Sequence, residues 1–450
     1  MGLEKNVEAE KYAELSTPVQ DYALEAQDNK VEGKPNSFLQ IVILGFVLFG
    51  CPGMFNAING LGGGGQVDPT AGSNANVALY STFATFSIVA GSVHNILGPR
   101  LTLFIGGIPY ILYVASYLVY DSTHQGGWVI GAGALLGVGA GLLWTAQGAV
   151  VLSYPTESEK GKYISTCWVI FNLGGVIGAF VPFILNYNSE AGTVSNGTYI
   201  AFLILMSIGT SVSLFMKAPA SIIRSDNTKV NYIKSASIQE EVSNLYHAIF
   251  DWRMLCLIPA SIASNWFYTY QFNAVNGHMF NLRSRGLNGA LYWGMQMFGA
   301  FFFGNYVMDK ESLSRATRGK IGLLIATVLT FAAWILGYFV QKDFTRNDPK
   351  LDYDFKESRA GYTMFVYIVY GLVDAIYQNY VYWVIGAMSN EPAELARFVG
   401  LYKAFQSAGG AISWRIDVLE VSYMAQLVIN WVLMAVSFPF MYLVIRKIKN

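Results

Sequence analysis

Charge is what this chain has least of. Only 13% of its 450 residues are Asp, Glu, Lys or Arg, against about 25% in a typical soluble domain. The 29 basic and 29 acidic side chains cancel, so no net basic field points to a nucleic-acid partner. Cysteine is scarce as well. Cys51, Cys167 and Cys256 lie in or beside apolar stretches and form no CxxC pair. That excludes a disulfide framework and leaves them as small buried hydrophobes. The four histidines share no cluster with cysteine or carboxylate at metal-ligand spacing, and His94 and His278 are expected to be exposed at the ends of apolar stretches. No nucleophile stands in a recognisable arrangement with a base. The pattern therefore predicts no catalytic residue, no metal and no cofactor, and argues against an enzyme. Residues 1–36 lack an apolar core, which excludes a secretory signal. Their mixed charges (Glu4, Glu8, Lys5, Lys11 among them) predict a disordered cytosolic tail.

Apolar length is what the chain has in abundance, with 53% hydrophobic residues. Twelve stretches are expected as spans, near 38–60, 77–97, 101–120, 128–152, 163–186, 198–217, 254–277, 287–308, 320–340, 361–385, 396–414 and 421–445. Each is roughly 20 residues, enough for a helix rising about 1.5 Å per residue to cross ~30 Å of hydrocarbon. The expected class is an all-α polytopic membrane protein of two six-helix bundles, 37–217 and 253–446, joined by a cytosolic linker at 218–252. The eleventh span is the weakest, because Lys403 interrupts it and Arg415 and Asp417 close it early, so eleven spans is the alternative. With the N-terminus inside, the inside segments of the first half hold twelve Lys or Arg and its outside loops none. That bias predicts cytosolic termini. The 342–359 loop, five basic residues among as many acids, reads as a solvated outer excursion. Asn196-Gly197-Thr198 is the one Asn-x-Ser/Thr sequon and falls in an outer loop, which makes Asn196 a candidate glycosylation site.

Within the spans, Gly133, Gly137 and Gly141 at four-residue spacing, then Gly174 and Gly178, predict close helix packing. The run Gly62 to Gly65 after span one predicts a flexible helix exit, or a gate. Two charges lie inside spans, Asp374 in span ten and Lys403 in span eleven. A lone charge at mid-membrane costs at least ~2.5 kcal/mol, so both should face the bundle interior. They are candidates for a direct pair, either structural or coupled to a proton or cation. Amides add a polar lining: Asn56, Asn59, Gln147, Asn172, Gln271, Asn273, Asn276, Gln378 and Gln406. Aromatics around Trp266, Tyr268 and Phe272 are expected in packing or an interfacial belt.

The loop after span two reads Gly91-Ser92-Val93-His94-Asn95-Ile96-Leu97-Gly98-Pro99-Arg100. It resembles the loop motif of the major facilitator superfamily, with Gly91, Gly98 and Arg100 kept and Asn95 where that family has an acid, which predicts a weakened charge latch. The corresponding loop after span eight keeps Asp309-Lys310 and Arg315. The stretches Asn56 to Gln66, Leu143 to Gly148, Ser153 to Gly161, Phe171 to Gly174, Asp374 to Gln378 and Lys403 to Asp417 resemble the Unc-ninety-three-like branch, particularly its fungal members. The resemblance implies a twelve-helix major facilitator fold with pseudo-twofold halves. Two functions from different classes follow from it. One is a secondary transporter of a small solute by alternating access, with a proton as the candidate coupling ion. The other is a non-transporting regulator or escort of another membrane protein, such as an ion channel. Nothing in the sequence distinguishes plasma membrane from vacuolar or endosomal membrane.

Overall fold

The computed structural model describes residues 35–61, 70–185, 196–230, 238–310 and 312–448. Among the described residues, twelve long helices form in chain order. Span one is Ser37–Gly60. Spans two and three are a single helical run, Thr70–Thr123, broken at Gly98. Spans four to six are Gly126–Ser153, Lys160–Leu185 and Asn196–Val212. Span seven is Trp252–Thr269 continued by Tyr270–Gly277, and span eight is Leu282–Phe303 continued by Gly304–Met308. Spans nine to twelve are Arg315–Gln341, Ala360–Met388, Pro392–Val418 and Tyr423–Ile445. Large apolar side chains such as Leu324, Val328, Val432 and Val436 point outward and are exposed, as a lipid-facing surface requires.

Local chemistry explains the breaks. Gly98 has φ +77°, and nothing lies within 4 Å of where its Cβ would be. The glycine is thus needed for its conformation rather than for space, and Pro99 then opens span three with its φ already helical. Span one carries a wide π-turn at Phe49–Gly53 around Pro52, because proline donates no hydrogen bond to the preceding turn. Span seven, its counterpart at the start of the second half, widens over Tyr270–Gly277. Such turns recur where helices line functional sites.

Glycine sets the packing inside the first half, as expected. A Cβ on Gly137 would sit 2.1 Å from the Leu79 carbonyl of span two, and one on Gly174 would sit 2.4 Å from the Phe49 carbonyl of span one. The same device joins the halves. Gly91 of span two lies against Ala396 of span eleven, and Gly304 of span eight against Ser165 of span five.

Several expectations need correction. The eleventh helix is neither interrupted nor shortened: it runs 27 residues from Pro392 through Lys403 to Val418, so the eleven-span alternative fails. His94 and His278 are buried, at 3% and 8% exposure, and His278 stacks on Phe344 at 5.6 Å. The loop before span ten is largely exposed, as expected, but it is tied down at several points. Tyr353 N donates to the Met279 carbonyl and Asn281 N to the Tyr353 carbonyl, while Asp354 accepts from Asn281 at 2.8 Å and from Arg283 at 2.5 Å. Asp354 thus pairs with the start of span eight, and Arg346 reaches Asp417 of span eleven. The N-terminal tail and the Gly62–Gly65 run lie outside the described residues.

Candidate functional site

Between the halves lies a cavity whose two walls differ in chemistry. Spans one to five contribute mostly rings: Phe55, Tyr80, Phe83, Tyr110, Trp144, Trp168 and Phe171, with the Asn56 amide among them. The second half contributes Asn265, Tyr268, Gln378, Lys403 and Gln406. The atom-free space is about 520 Å³, of which about 50 Å³ admits the centre of a water molecule. Part of that space opens to solvent, and the enclosed remainder, about 50 Å³, has room for only a few waters, so the walls are drawn in close and a larger molecule requires them to part.

Asp374 and Lys403, expected to pair directly, do not. They are joined by two amides. Lys403 Nζ donates to Gln406 Oε1 at 2.7 Å, Gln406 Nε2 to Gln378 Oε1 at 2.9 Å, and Gln378 Nε2 to Asp374 Oδ1 at 2.6 Å. The other carboxylate oxygen accepts from Tyr292 at 2.9 Å and Gln296 Nε2 at 2.6 Å. The spacing follows from helical geometry. Gln378 lies four residues after Asp374, and Gln406 three after Lys403, so each pair shares one face of its helix. Asp374 is 1% exposed and sits one residue behind the cavity wall. Lys403 reaches the cavity, where Nζ lies 4.5 Å from the Trp144 ring and 5.1 Å from each of the Tyr382 and Tyr402 rings. Attraction between ammonium and ring faces offsets part of its desolvation.

The relay crosses the interface between the halves. Trp168 Nε1 of span five donates to Gln296 Oε1 at 3.0 Å, and Gln296 holds Asp374. Tyr382 of span ten donates to Gln147 of span four at 2.9 Å.

Among the amides expected to line a path, Asn56, Gln378 and Gln406 reach the cavity. Gln271 joins the Asp374 cluster: its Oε1 lies 2.8 Å from the Tyr292 hydroxyl, whose single proton goes either there or to Asp374. Three stand elsewhere. Asn59 accepts from Asn76 of span two at 3.2 Å, Asn172 bonds the Trp168 carbonyl in its own helix, and Asn273 donates to Asp417 at 2.7 Å. Asn172 thus back-bonds within its own helix, while Asn59 and Asn273 bridge helices. Asn276, likewise, donates to the Gly60 carbonyl at 3.0 Å, tying span seven to span one. Sequence reasoning passed over Gln296, Tyr292 and Asn265, and it set Tyr268 aside as packing. Gln296 carried a usable signal, being an amide mid-helix in an otherwise apolar and aromatic span.

The loop motif is rebuilt with a borrowed acid. Asn95 Nδ2 donates to Glu241 Oε1 at 3.3 Å, and Glu241 also pairs with Arg397 of span eleven at 3.1 Å. Glu241 belongs to the amphipathic linker helix, Ile238–Ile249, and is 2% exposed. The missing charge of the span-two loop is thus supplied from the linker. At the loop after span eight, Asp309 accepts from the backbone N–H groups of Gly161 at 2.7 Å and Lys162 at 2.5 Å, at the start of span five. Burial outweighs these bonds and pushes its carboxyl up to about 6. Arg100 is exposed. Among the described residues no group of His, Cys, Asp and Glu is placed to hold a metal ion.

Two six-helix halves around a central cavity define a multi-pass membrane protein with the fold of the major facilitator transporters. Solved structures agree on that fold. The proton:xylose symporter XylE matches 91% of this chain and 94% of its own with a TM-score of 0.61 at 13% identity. The transporter FucP matches 90% of this chain and 98% of its own with a TM-score of 0.60, also at 13% identity. The chain belongs to the family described as "Ion channel regulatory protein UNC-93", whose model matches residues 63–441. It is 46% identical to UNC93-like protein 1 of Arabidopsis thaliana over 90% of this chain and 89% of that protein. It is 42% identical to an UNC93-like protein of Schizosaccharomyces pombe over 89% of this chain and 81% of that one. The fission-yeast relative fits the fungal likeness read from the motifs.

Proposed function

We propose that the chain is a secondary transporter that moves a small solute by alternating access, with its binding site in the cavity between the halves. The observation that carries this reading is the cavity itself. It draws lining residues from both halves, near mid-membrane, and contains a buried ammonium. Residues 37–217 and 253–446 act as the two rocking bodies, and Asn56, Gln378, Lys403 and Gln406 contact the solute. Asp374 is the group that takes up and releases a proton. Facing it are Tyr292, Gln296, Gln378 and, through Tyr292, Gln271, with Lys403 two amides away. Contacts at both ends of the interface, Asn95–Glu241–Arg397 at one and Asn276–Gly60 at the other, would open alternately. The positive-inside bias places the linker and both termini in the cytosol. Asn196, exposed at the start of span six, is then outside and open to glycosylation. Proteoliposomes test the proposal. A pH gradient should drive uptake of a substrate by the wild type and not by Asp374→Asn, and identical fluxes for both across a broad solute panel would sink the coupling.

A second reading, regulator or escort of another membrane protein, is favoured by the family's description as an ion channel regulatory protein. A stoichiometric membrane protein co-purifying in mild detergent, from cells where no flux can be measured, is its expected signature.

A further inference from the structure

Among the described residues around the cavity, the hydrogen bonds leave one charged donor largely unspent, alongside the neutral amides of Asn56 and Asn265. Gln378 Nε2 is used by Tyr268 and Asp374, and Gln406 Nε2 by Tyr402 and Gln378. The carbonyl oxygens of both amides are occupied as well, by Gln406 and Lys403. The relay therefore satisfies itself and offers a solute little. Lys403 differs. An ammonium has three N–H donors, and among the described residues it spends one, on Gln406. Its remaining contacts are ring faces, which attract charge but accept no strong hydrogen bond. A cation 3% exposed within a membrane protein, bonded once and lining a cavity, is short of an anionic acceptor.

The rest of the wall narrows the class. Opposite Lys403 the first half offers the rings of Phe55, Tyr80, Trp144 and Phe171, a surface for a flat apolar body. The cavity lining holds a single cation, and Asp374 stands two amides behind it. A dianion would meet one positive charge and the field of a nearby carboxylate, which disfavours it. We infer that the cavity binds a monoanionic organic acid with a planar apolar body, its carboxylate on Lys403 and its body against the aromatic wall of the first half. The inference deepens the transport reading and uses the same cavity, but equilibrium binding tests it apart from flux.

The test uses the full chain in lipid nanodiscs, with radiolabelled benzoate as the probe and benzamide and benzylamine as neutral and cationic isosteres, against empty nanodiscs. Saturable benzoate binding is expected, with benzamide and benzylamine competing at least about tenfold more weakly, a difference of ~1.4 kcal/mol. Lys403→Met should abolish the preference for benzoate over benzamide, and Lys403→Arg should retain it. If Lys403→Met fails to fold, the wild-type ratio of benzoate to benzamide affinity still decides. Overturning results are no saturable benzoate binding up to about 10 mM, tenfold beyond a Kd of ~1 mM, or benzamide binding as tightly as benzoate, or an unchanged preference in Lys403→Met. Benzoate that binds but never crosses would sink transport and leave this assignment standing. Flux of a neutral solute without benzoate binding would do the reverse.

Discussion

Replacing Asp374 with Asn keeps the shape of the relay and reverses one end of it. The carboxylate accepts three hydrogen bonds, two at Oδ2 from Tyr292 and Gln296 and one at Oδ1 from Gln378. An amide has a single acceptor oxygen. If that oxygen stays with Tyr292 and Gln296, its nitrogen meets Gln378 Nε2, donor against donor. Turning Gln378 over moves the conflict to Gln406, and turning Gln406 over moves it to Lys403, which has no acceptor to offer. One mismatch must persist, and it removes a charge-assisted bond of about 1.5–3 kcal/mol. Against that, the substitution relieves the burial of an ionised carboxylate at mid-membrane, roughly 2.5–3.5 kcal/mol on insertion scales. The two nearly cancel, so Asp374→Asn should unfold within about 1 kcal/mol of wild type in mixed micelles. Asp374→Ala gains the same relief but leaves the Gln296 and Gln378 donors without that acceptor, at about 1–3 kcal/mol each, while Tyr292 turns to Gln271. It should therefore be less stable than Asp374→Asn by about 1–2 kcal/mol. Because the mismatch ends at Lys403, adding Lys403→Met to Asp374→Asn should give a coupling energy of at least about 1 kcal/mol, though the two side chains do not touch. Additivity within ~0.5 kcal/mol, or Asn as damaging as Ala, would show that the four residues do not act as a unit.

Three further outcomes are expected. Glu241→Ala strands the buried guanidinium of Arg397 and should cost about 3–5 kcal/mol, much of it recovered in the double variant with Arg397→Ala; hydrogen exchange over 238–249 should rise in the single variant. Asp309 is raised from 3.8 to about 6 by burial, so the folded state holds its proton more tightly than the unfolded one. Its contribution is fully present below about pH 3.8 and lost as pH rises through about 6, by up to ~3 kcal/mol; Asp309→Asn should flatten thermal stability across that window. Gly137→Ala forces a Cβ to 2.1 Å from the Leu79 carbonyl, whereas a Cβ on Gly131 meets nothing within 4 Å. The first should destabilise by about 1–3 kcal/mol or more through overpacking, and the second should be neutral or stabilising by up to ~1 kcal/mol, both read from thermal unfolding.

Span number, class and glycine packing were legible in the sequence because each rests on local chemistry: apolar length, four-residue spacing, a proline after Gly98. Asp374, Lys403, Gln378 and Gln406 were legible as polar exceptions to apolar helices. Their arrangement was not, since direct pairing and pairing through amides need the same residues and differ only in how spans ten and eleven rotate. Lys403 looked like a break in span eleven because hydropathy scores a side chain without its partners. His278 was misread for the same reason, as were Asp354 and Arg346 within the largely exposed loop before span ten. Charges that pair with a distant segment, as Asp354 does with Arg283, score as solvent-loving until the fold brings them together. Asn95 is the clearest case. A neutral residue in a charged motif implied a lost latch, and only the packing of a helix nearly 150 positions away shows the charge restored.

That restoration changes what the linker does. In the second half the equivalent position is self-sufficient, because Asp309 reaches the start of span five directly. In the first half the corresponding contact depends on the docked linker helix, whose buried Glu241 meets Asn95 and Arg397. The opposite face of the same helix carries Val242, Tyr246 and Phe250, each about 60% exposed and one turn apart. That apolar stripe runs on to the start of span seven, where Trp252 and Leu255 are also exposed, while on the inner face undocking the helix requires breaking the buried Glu241–Arg397 pair.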